Sequence, residues 1–473
     1  MKQIDDAFTH LNAVIVCGQT GNELWPLVRR KTPRETVVFP GEDESLLASA
    51  IRRVKPLTPS PIIFVCPAQI ESDIRGGIAT SGLLRPDEYE IVIDPEPRGT
   101  AFSISLVSAM LRRRDPNAVV LAMPSHLMVD GDERWEQAVA RGYRAAETDL
   151  VAVIGVPSRE SSSPHDYIRP GREIKGVPGV RVIADYLSSP NPAQTTRYIN
   201  LGHLWSTGIL LMRASIALAQ LIHVAKHSYD ELVMGLDRVA ETASFLASIE
   251  RERWYTPEAR EIIESLPEAD FADAVLAYSD DTAVIPTSIN CSGVTSLADF
   301  DDMAMPDSEG NRVMGRGFEI DSTNTTIYND DRLTVTLGCD NLMVVNTHDS
   351  VLVASKDSLD TLGDVLPALV EAGAWEADRS SVSEHSWGRA TSIFEGRTST
   401  TRLIELLAGK SIPEYARKRR TERWIVIDGA ITCVDGYGTR VAQVGDHLEF
   451  KPNERHALLN SSEEAARLLC IEF

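Results

Sequence analysis

The chain has 473 residues, 43% of them hydrophobic, and its 69 acidic against 47 basic side chains give a net charge of -22. That length exceeds one ordinary domain, so two or three are expected. The charge would repel phosphate backbones and anionic lipid, which argues against nucleic-acid and membrane partners but leaves room for a small phosphorylated ligand in a locally basic pocket.

Ala13-Val14-Ile15-Val16 reads as a buried strand and runs directly into the glycine-bearing segment Cys17-Gly18-Gln19-Thr20-Gly21. A strand, a glycine loop and a helix in that order present backbone N–H groups to phosphates. Further apolar runs at 61–65, 89–93, 118–122 and 150–154 read as strands, with helix-like segments such as Ala101–Arg114 between them. The alternation predicts a mostly parallel, Rossmann-like sheet with helices on both faces. Ligands bind at the carboxyl ends of such strands, which directs attention to the loops after Val16, Ile93 and Ala122. From about Ser292 the helical signal fades and short strands follow, at 335–347 and 350–354. A helix is expected over 358–372. From Trp387 to Phe473 short apolar runs between Gly turns read as a small all-β barrel. The six cysteines are scattered without a CxxC pair, so neither disulfides nor a thiolate zinc site is expected. The N-terminal stretch lacks a signal-peptide core and no apolar run is long enough to span a bilayer, so a cytoplasmic location is expected.

The segment Gly18–Arg29, above all Leu24-Trp25-Pro26-Leu27-Val28-Arg29, resembles the signature loop of bacterial mannose-1-phosphate guanylyltransferases. The later segments resemble, in the right order, the small β-helix and the cupin-type phosphomannose isomerase domain of the bifunctional members. The resemblance implies a nucleotidyltransferase-like α/β domain over 1–290, a β-helix segment and linker helix over 291–372, and a cupin-like domain over 373–473. It also implies transfer of a nucleotidyl group to a sugar phosphate. That chemistry requires neutralised phosphate charge, Mg²⁺ held by carboxylates, and two substrates in line.

Measured against that pattern, several positions depart. Gly18 and Gly21 are kept, and with Gln19 and Thr20 form the expected nucleotide loop. Glu23 stands where a basic residue is expected; it would repel phosphate, or simply cap a helix start. Arg34, in Thr32-Pro33-Arg34-Glu35, takes the place of the signature lysine and is the candidate catalytic cation, against a solvated basic turn as the alternative. In Asp94–Ala101, Arg98 and Thr100 match nucleotide-binding positions, and Gly99 replaces an Asn. Ser125 and Gly293 stand where the two Mg²⁺ carboxylates align, so no metal ligand is assigned and Mg²⁺ is implied only for an active enzyme; Asp130 is a possible substitute. On the sugar side, Tyr167, Trp205, Thr207 and Gly208 match, although Trp205 can be simple core. The loop 161–165 and the stretch 187–190 depart.

In the barrel, Glu422 and His456 match the metal-site spacing, but Arg417-Lys418-Arg419-Arg420 replaces the early histidines. Two donors are too few for a metal site, and isomerase chemistry is not expected. Arg417, Arg419 and Arg423 are candidates for an anion site at the barrel mouth; a solvated charged face and docking on an acidic partner are the alternatives. The functional expectation is a non-catalytic or regulatory relative that binds a nucleotide or nucleotide sugar, forms a homo-oligomer and pairs with an active paralogue. An active nucleotidyltransferase using Arg34, Arg98 and Asp130, or a pure scaffold, are the competing readings.

Overall fold

Leu11–Val16 (β1), apolar except for Asn12, is buried along its whole length at the heart of a nine-stranded sheet. Full burial is what a central parallel strand demands, since helices cover both faces. The computed structural model describes residues 8–18, 22–29, 33–38, 44–129, 132–157, 166–188, 190–228, 230–302, 304–329 and 332–473. They sort into two compact units that interleave along the chain. One comprises Met1–Gly18, Ser49–Glu71 and Leu84–Val294; the other comprises Gln19–Ala48, Ser72–Leu83 and Thr295–Phe473.

In the first unit β1 is followed by β2 (Ile62–Pro67), β3 (Tyr89–Asp94), β4 (Val119–Pro124), β5 (Leu127–Val129), β6 (Val151–Pro157), β7 (Tyr167–Glu173), β8 (Arg181–Leu187), β9 (Leu204–Arg213), β10 (Thr282–Pro286) and β11 (Cys291–Gly293). The sheet order is β3-β2-β1-β4-β9-β6-β10-β8-β7, while β5 and β11 form a separate antiparallel ribbon. Strands β1 to β4 are mutually parallel, and β9 runs antiparallel between β4 and β6. The helix Thr100–Arg114 is buried from Ala101 to Leu111 and shares one core with Leu218, Leu236, Leu210 and Met212. It ends in Arg112-Arg113-Arg114, cations placed at the negative end of its dipole. Leu211 points to the opposite face, because side chains alternate along a strand. There the helix Asp132–Glu147 comes so close that a Cβ on Gly142 would meet Leu211 Cδ1 at 2.7 Å. Helices on both faces agree with the sequence reading, whereas the sheet is mixed rather than mostly parallel, because β9, β8 and β7 pair antiparallel.

The second unit carries β12 (Arg312–Met314), β13 (Gly317–Ile320), β14 (Thr326–Asn329), β15 (Thr334–Leu337), β16 (Leu342–Asn346) and β17 (Val351–Ser355). Parallel pairing of β12, β14 and β16, and of β13 with β15, stacks successive turns of a β-helix. Its corner is marked by Asn324 and Asn341, both at positive φ, with Asn324 Nδ2 donating to Asn341 Oδ1 at 2.9 Å. Asn accepts that backbone because its short side chain bonds locally. The same corner breaks the stretch 335–347 into two strands. A short helix, Leu297–Asp302, lies where no helical signal was expected. The linker expected over 358–372 is a 3-10 turn, Lys356–Thr361, leading into an α-helix, Leu362–Glu371.

The C-terminal barrel is built from β18 (Val382–His385), β19 (Gly388–Glu395), β20 (Thr400–Leu406), β21 (Ser411–Tyr415), β22 (Glu422–Asp428), β23 (Ala430–Asp435), β24 (Gly438–Gln443), β25 (His447–Phe450), β26 (His456–Leu459) and β27 (Ala466–Glu472). They form two antiparallel sheets, β18-β19-β20-β27-β22-β25 and β21-β26-β23-β24, around a core that includes Trp424, Phe450, Leu458 and Leu468. No helix among the described residues is long and apolar enough to cross a membrane.

Candidate functional site

The register of the parallel strands assembles one edge of the first unit. Val16 pairs with Pro124 and with Val65, and Pro67 pairs with Asp94, so β1 to β4 all release their loops on the same side. Ser125 N–H donates back to the Val16 carbonyl at 3.1 Å. Gly18 leaves β1 at φ 87, and a Cβ there would meet Pro67 Cδ at 2.5 Å. Only glycine fits this approach. Gln19, Thr20 and Gly21 lie outside the described residues.

The loop that follows β3 is tied to a distant segment of its own unit. Arg98 Nε donates to the Ile263 carbonyl at 3.3 Å, and its Nη2 donates to the Glu264 carbonyl. These are the last residues of the helix Pro257–Glu264, so the guanidinium caps carbonyls at a negative dipole end. Thr100 Oγ1 donates to Asp270 Oδ2 at 2.6 Å and accepts from Phe271 N–H at 2.8 Å. Ala101 N–H donates to the Ala269 carbonyl, and Ala269 N–H donates to the Arg98 carbonyl. Gly99, at φ 77, lies so close that a Cβ would meet Ala269 O at 2.2 Å, which explains why the expected Asn is absent. Arg98 and Thr100 were expected to face nucleotide; both spend these polar groups on the segment 263–271. Beneath the loop, Asp94 accepts from Ser103 Oγ at 2.6 Å and from Glu96 N–H at 3.2 Å. Burial pushes its carboxyl up to about 6.

Ser125 and Gly293, the positions expected for metal carboxylates, come together in space. Ser125 precedes β5 by two residues, and in the β5–β11 ribbon Gly293 pairs with Leu127. Ser125 is fully buried. A hydroxyl and a glycine at these places do not fit Mg²⁺, which is held through carboxylates, phosphates and water. Asp130 lies outside the described residues.

On the sugar side, Tyr167 pairs directly with Trp205 across β7 and β9, and both are buried. Thr207 Oγ1 donates to the Ile154 carbonyl at 2.8 Å, and Gly208 follows at φ 71. The strands thus bring these four residues together, with Trp205 in the core and the Thr207 hydroxyl donating to backbone. The stretch 161–165 and Ser189 lie outside the described residues. A neighbouring cluster was not anticipated: Tyr186 OH lies 3.0 Å from Asp166 Oδ2 and 2.7 Å from Asp273 Oδ1. Burial, then the charges of Asp166 and Asp270, push the Asp273 carboxyl up to about 7. Asp166 and Asp273 meet only through the fold, so no local pattern reveals them.

The signature-like stretch Trp25–Arg29 does its bonding within the second unit. Arg29 Nη2 lies 2.6 Å from Asp349 Oδ1 and donates to Ser350 Oγ at 2.8 Å; Arg29 Nη1 and Trp25 Nε1 donate to the Glu376 carbonyl. Arg34 belongs to the same unit, in a short 3-10 turn, and is 3% exposed. Burial lowers its pKa, against the opposing charges of Glu35, Glu23 and Asp299. The expected catalytic cation is therefore buried, with the charges of three carboxylates, Glu23 among them, acting on it.

The barrel encloses a cavity of about 560 Å³ whose wall includes His385, Trp387, Arg402, Tyr415, Arg417 and Glu422. The basic run does not share one face: Arg417 to Arg420 lie in the loop between β21 and β22, and Arg423 lies in β22. Arg417 lines the cavity, with Nη2 2.9 Å from Glu472 Oε1 and Nε 3.5 Å from Glu422 Oε1. Arg423 does not join it: its neighbour Glu422 points inward, and Arg423 itself pairs outside with Glu449 at 2.5 Å. Arg419 is exposed and does not line the cavity. Of the three expected arginines only Arg417 lines the cavity, which Arg402 also lines, its Nη1 2.7 Å from Glu472 Oε1. Cys470 and Glu472, which the sequence reading missed, share an inward face of β27; a carboxylate on the same alternating face as Ala466, Leu468 and Cys470 is the signal that could have found them.

The comparisons with known proteins follow this architecture. Residues 12–255 match the Nucleotidyl transferase profile, 315–366 the MannoseP isomerase/GMP-like beta-helix domain, and 402–472 the Cupin domain. The chain is 24% identical over 469 residues to mannose-1-phosphate guanylyltransferase RfbM of Salmonella typhimurium, covering 97% of this chain and 93% of that one. It is 25% identical over 423 residues to the alginate biosynthesis protein AlgA of Pseudomonas putida, covering 89% and 84%. The crystal structure of a protein from Thermus thermophilus, named mannose-1-phosphate geranyltransferase, superposes with a TM-score of 0.63 at 21% identity and covers 76% of this chain and 99% of that one. At that identity the likeness speaks for the fold. With more than half of its length matched by one profile, and the β-helix and cupin segments following in order, the chain belongs to the nucleotidyl transferase family.

Proposed function

We propose that this chain is a mannose-1-phosphate guanylyltransferase-like protein of nucleotide-sugar metabolism, with impaired turnover, that acts by binding or regulation. The observation that carries the reading is the meeting of Ser125 and Gly293 beside the β5–β11 ribbon, where the chemistry calls for two carboxylates. The internal bonds of Arg98 and Thr100 support it, because groups held by carbonyls and by Asp270 have less to offer a phosphate. Losing one electrostatic contact of this kind costs about 10²–10³ in rate. The names of the relatives support the substrate class, a sugar phosphate and a nucleotide, and fit an active enzyme equally. An active paralogue and self-association belong to the same proposal.

The test is the double substitution Ser125→Asp with Gly293→Asp. Pyrophosphate release from GTP and mannose 1-phosphate that appears only in the variant, and only with Mg²⁺, supports an eroded site. Equal release by the unsubstituted chain refutes impairment.

A further inference from the structure

A cupin barrel implies a transition metal held by imidazole and carboxylate, and the donors for one are present here. Glu422, Cys470 and Glu472, all buried, place ligand atoms within 4.8 Å of one another. His456 is fully buried, and its Nδ1 donates to the Glu454 carbonyl at 3.2 Å, which leaves the lone pair on Nε2. That nitrogen has no hydrogen-bond partner and lies 3.4 Å from Glu422 Oε2. An imidazole fixed by a carbonyl on one nitrogen, with the other turned to a carboxylate, is the tautomer of a metal ligand.

The cationic place is nevertheless taken. Arg417 reaches both carboxylates, Glu472 through Nη2 and Glu422 through Nε, with its guanidinium over the Tyr415 ring. Glu472 also faces Arg402 at 2.7 Å and Arg420 at 3.6 Å. Tyr415 OH donates to Glu422 Oε1 at 2.7 Å, using the same oxygen that meets Arg417. A divalent ion entering this triangle would meet a fixed positive charge and carboxylates already spoken for. The donor set and the metal therefore do not fit together while Arg417 is present.

We propose that the Arg417 guanidinium stands in for the divalent cation of this barrel, making the Glu422–Glu472 centre a metal-free ion-pair site. The cavity then presents a half-exposed guanidinium and an aromatic wall to whatever enters it, with no Lewis acid. Removing the arginine leaves Glu422 with the Tyr415 hydroxyl and Glu472 with Arg402 and Arg420, and frees the place between the two carboxylates, beside a thiol and an imidazole, for an ion such as Co²⁺ or Zn²⁺.

The experiment is a Co²⁺ titration of the full-length chain and its Arg417→Ala, Arg417→Lys and Arg417→Ala/Cys470→Ser variants. Retained metal and thiolate-to-cobalt absorption are the readouts. The expected result is no retained cobalt in the unsubstituted chain or Arg417→Lys, and one ion per chain with the absorption band in Arg417→Ala. Replacing Cys470 as well should abolish the band. Stoichiometric cobalt in the unsubstituted chain, bound through Cys470, overturns the proposal, as does folded Arg417→Ala that binds none. Should Arg417→Ala fail to fold, Arg417→Met keeps the packed stem and opens the same site, and the unsubstituted titration still decides.

Discussion

Asp94 shows how a single buried carboxyl writes itself into the stability of the first unit. Its pKa is pushed up to about 6 from an ordinary 3.8, by burial above all and against the help of Ser103 and Glu96 N–H. As pH rises past 4 the unfolded chain releases this proton first, while the folded chain holds it until about 6. Stability is therefore lost across that window and stays lower above it. Asp94→Asn keeps the shape and removes the titration. Thermal unfolding of the two proteins from pH 4 to 7 should show the unsubstituted chain losing stability relative to Asp94→Asn as pH rises. Parallel curves would sink the assignment. Arg98 and Thr100 teach a related lesson. Their residue types and their place after a strand suit a phosphate, yet their partners lie more than 160 residues away, on the segment 263–271. Spacing can nominate such groups; only the fold shows what they hold.

Elements were the most legible level of this sequence. The apolar run ending at Val16 gave β1, and the runs near 61–65, 89–93 and 118–122 gave three further parallel strands. Period and turn residues are local signals, and these strands are buried enough to display them. The β-helix corner was less legible, because Asn324 and Asn341 gain meaning only when stacked on each other. The stretch Trp25–Arg29 was recognised by its letters, but its physical role is a buried tie to Asp349, Ser350 and the Glu376 carbonyl. Arg29 and Asp349 are respectively 1% and 5% exposed at the side chain, so removing one partner strands a buried charge. Arg29→Ala should cost about 3–5 kcal/mol, read as a lowered denaturant midpoint with an unchanged slope. A change within measurement error would show that the tie is dispensable. Strand alternation likewise explains the error over Arg423: Glu422 and Trp424 face inward, so the residue between them cannot.

At the scale of the whole molecule, a family architecture persists, and the proposal of impaired turnover rests on two places within it. In the first unit the carboxylate positions hold Ser125 and Gly293, and the loop after β3 is bound to its own unit. In the barrel a guanidinium lies among the carboxylates and thiol that could have held a metal. Under the proposal, bonds within the chain stand at both places where bonds to a ligand are expected, which favours binding over turnover. The measurement that tests this most directly is pyrophosphate release by the purified full-length chain with mannose 1-phosphate, GTP and Mg²⁺, run beside GDP-mannose binding by calorimetry. The account predicts binding without release. Sustained Mg²⁺-dependent release by the unsubstituted chain would contradict it and show that other groups complete the metal site.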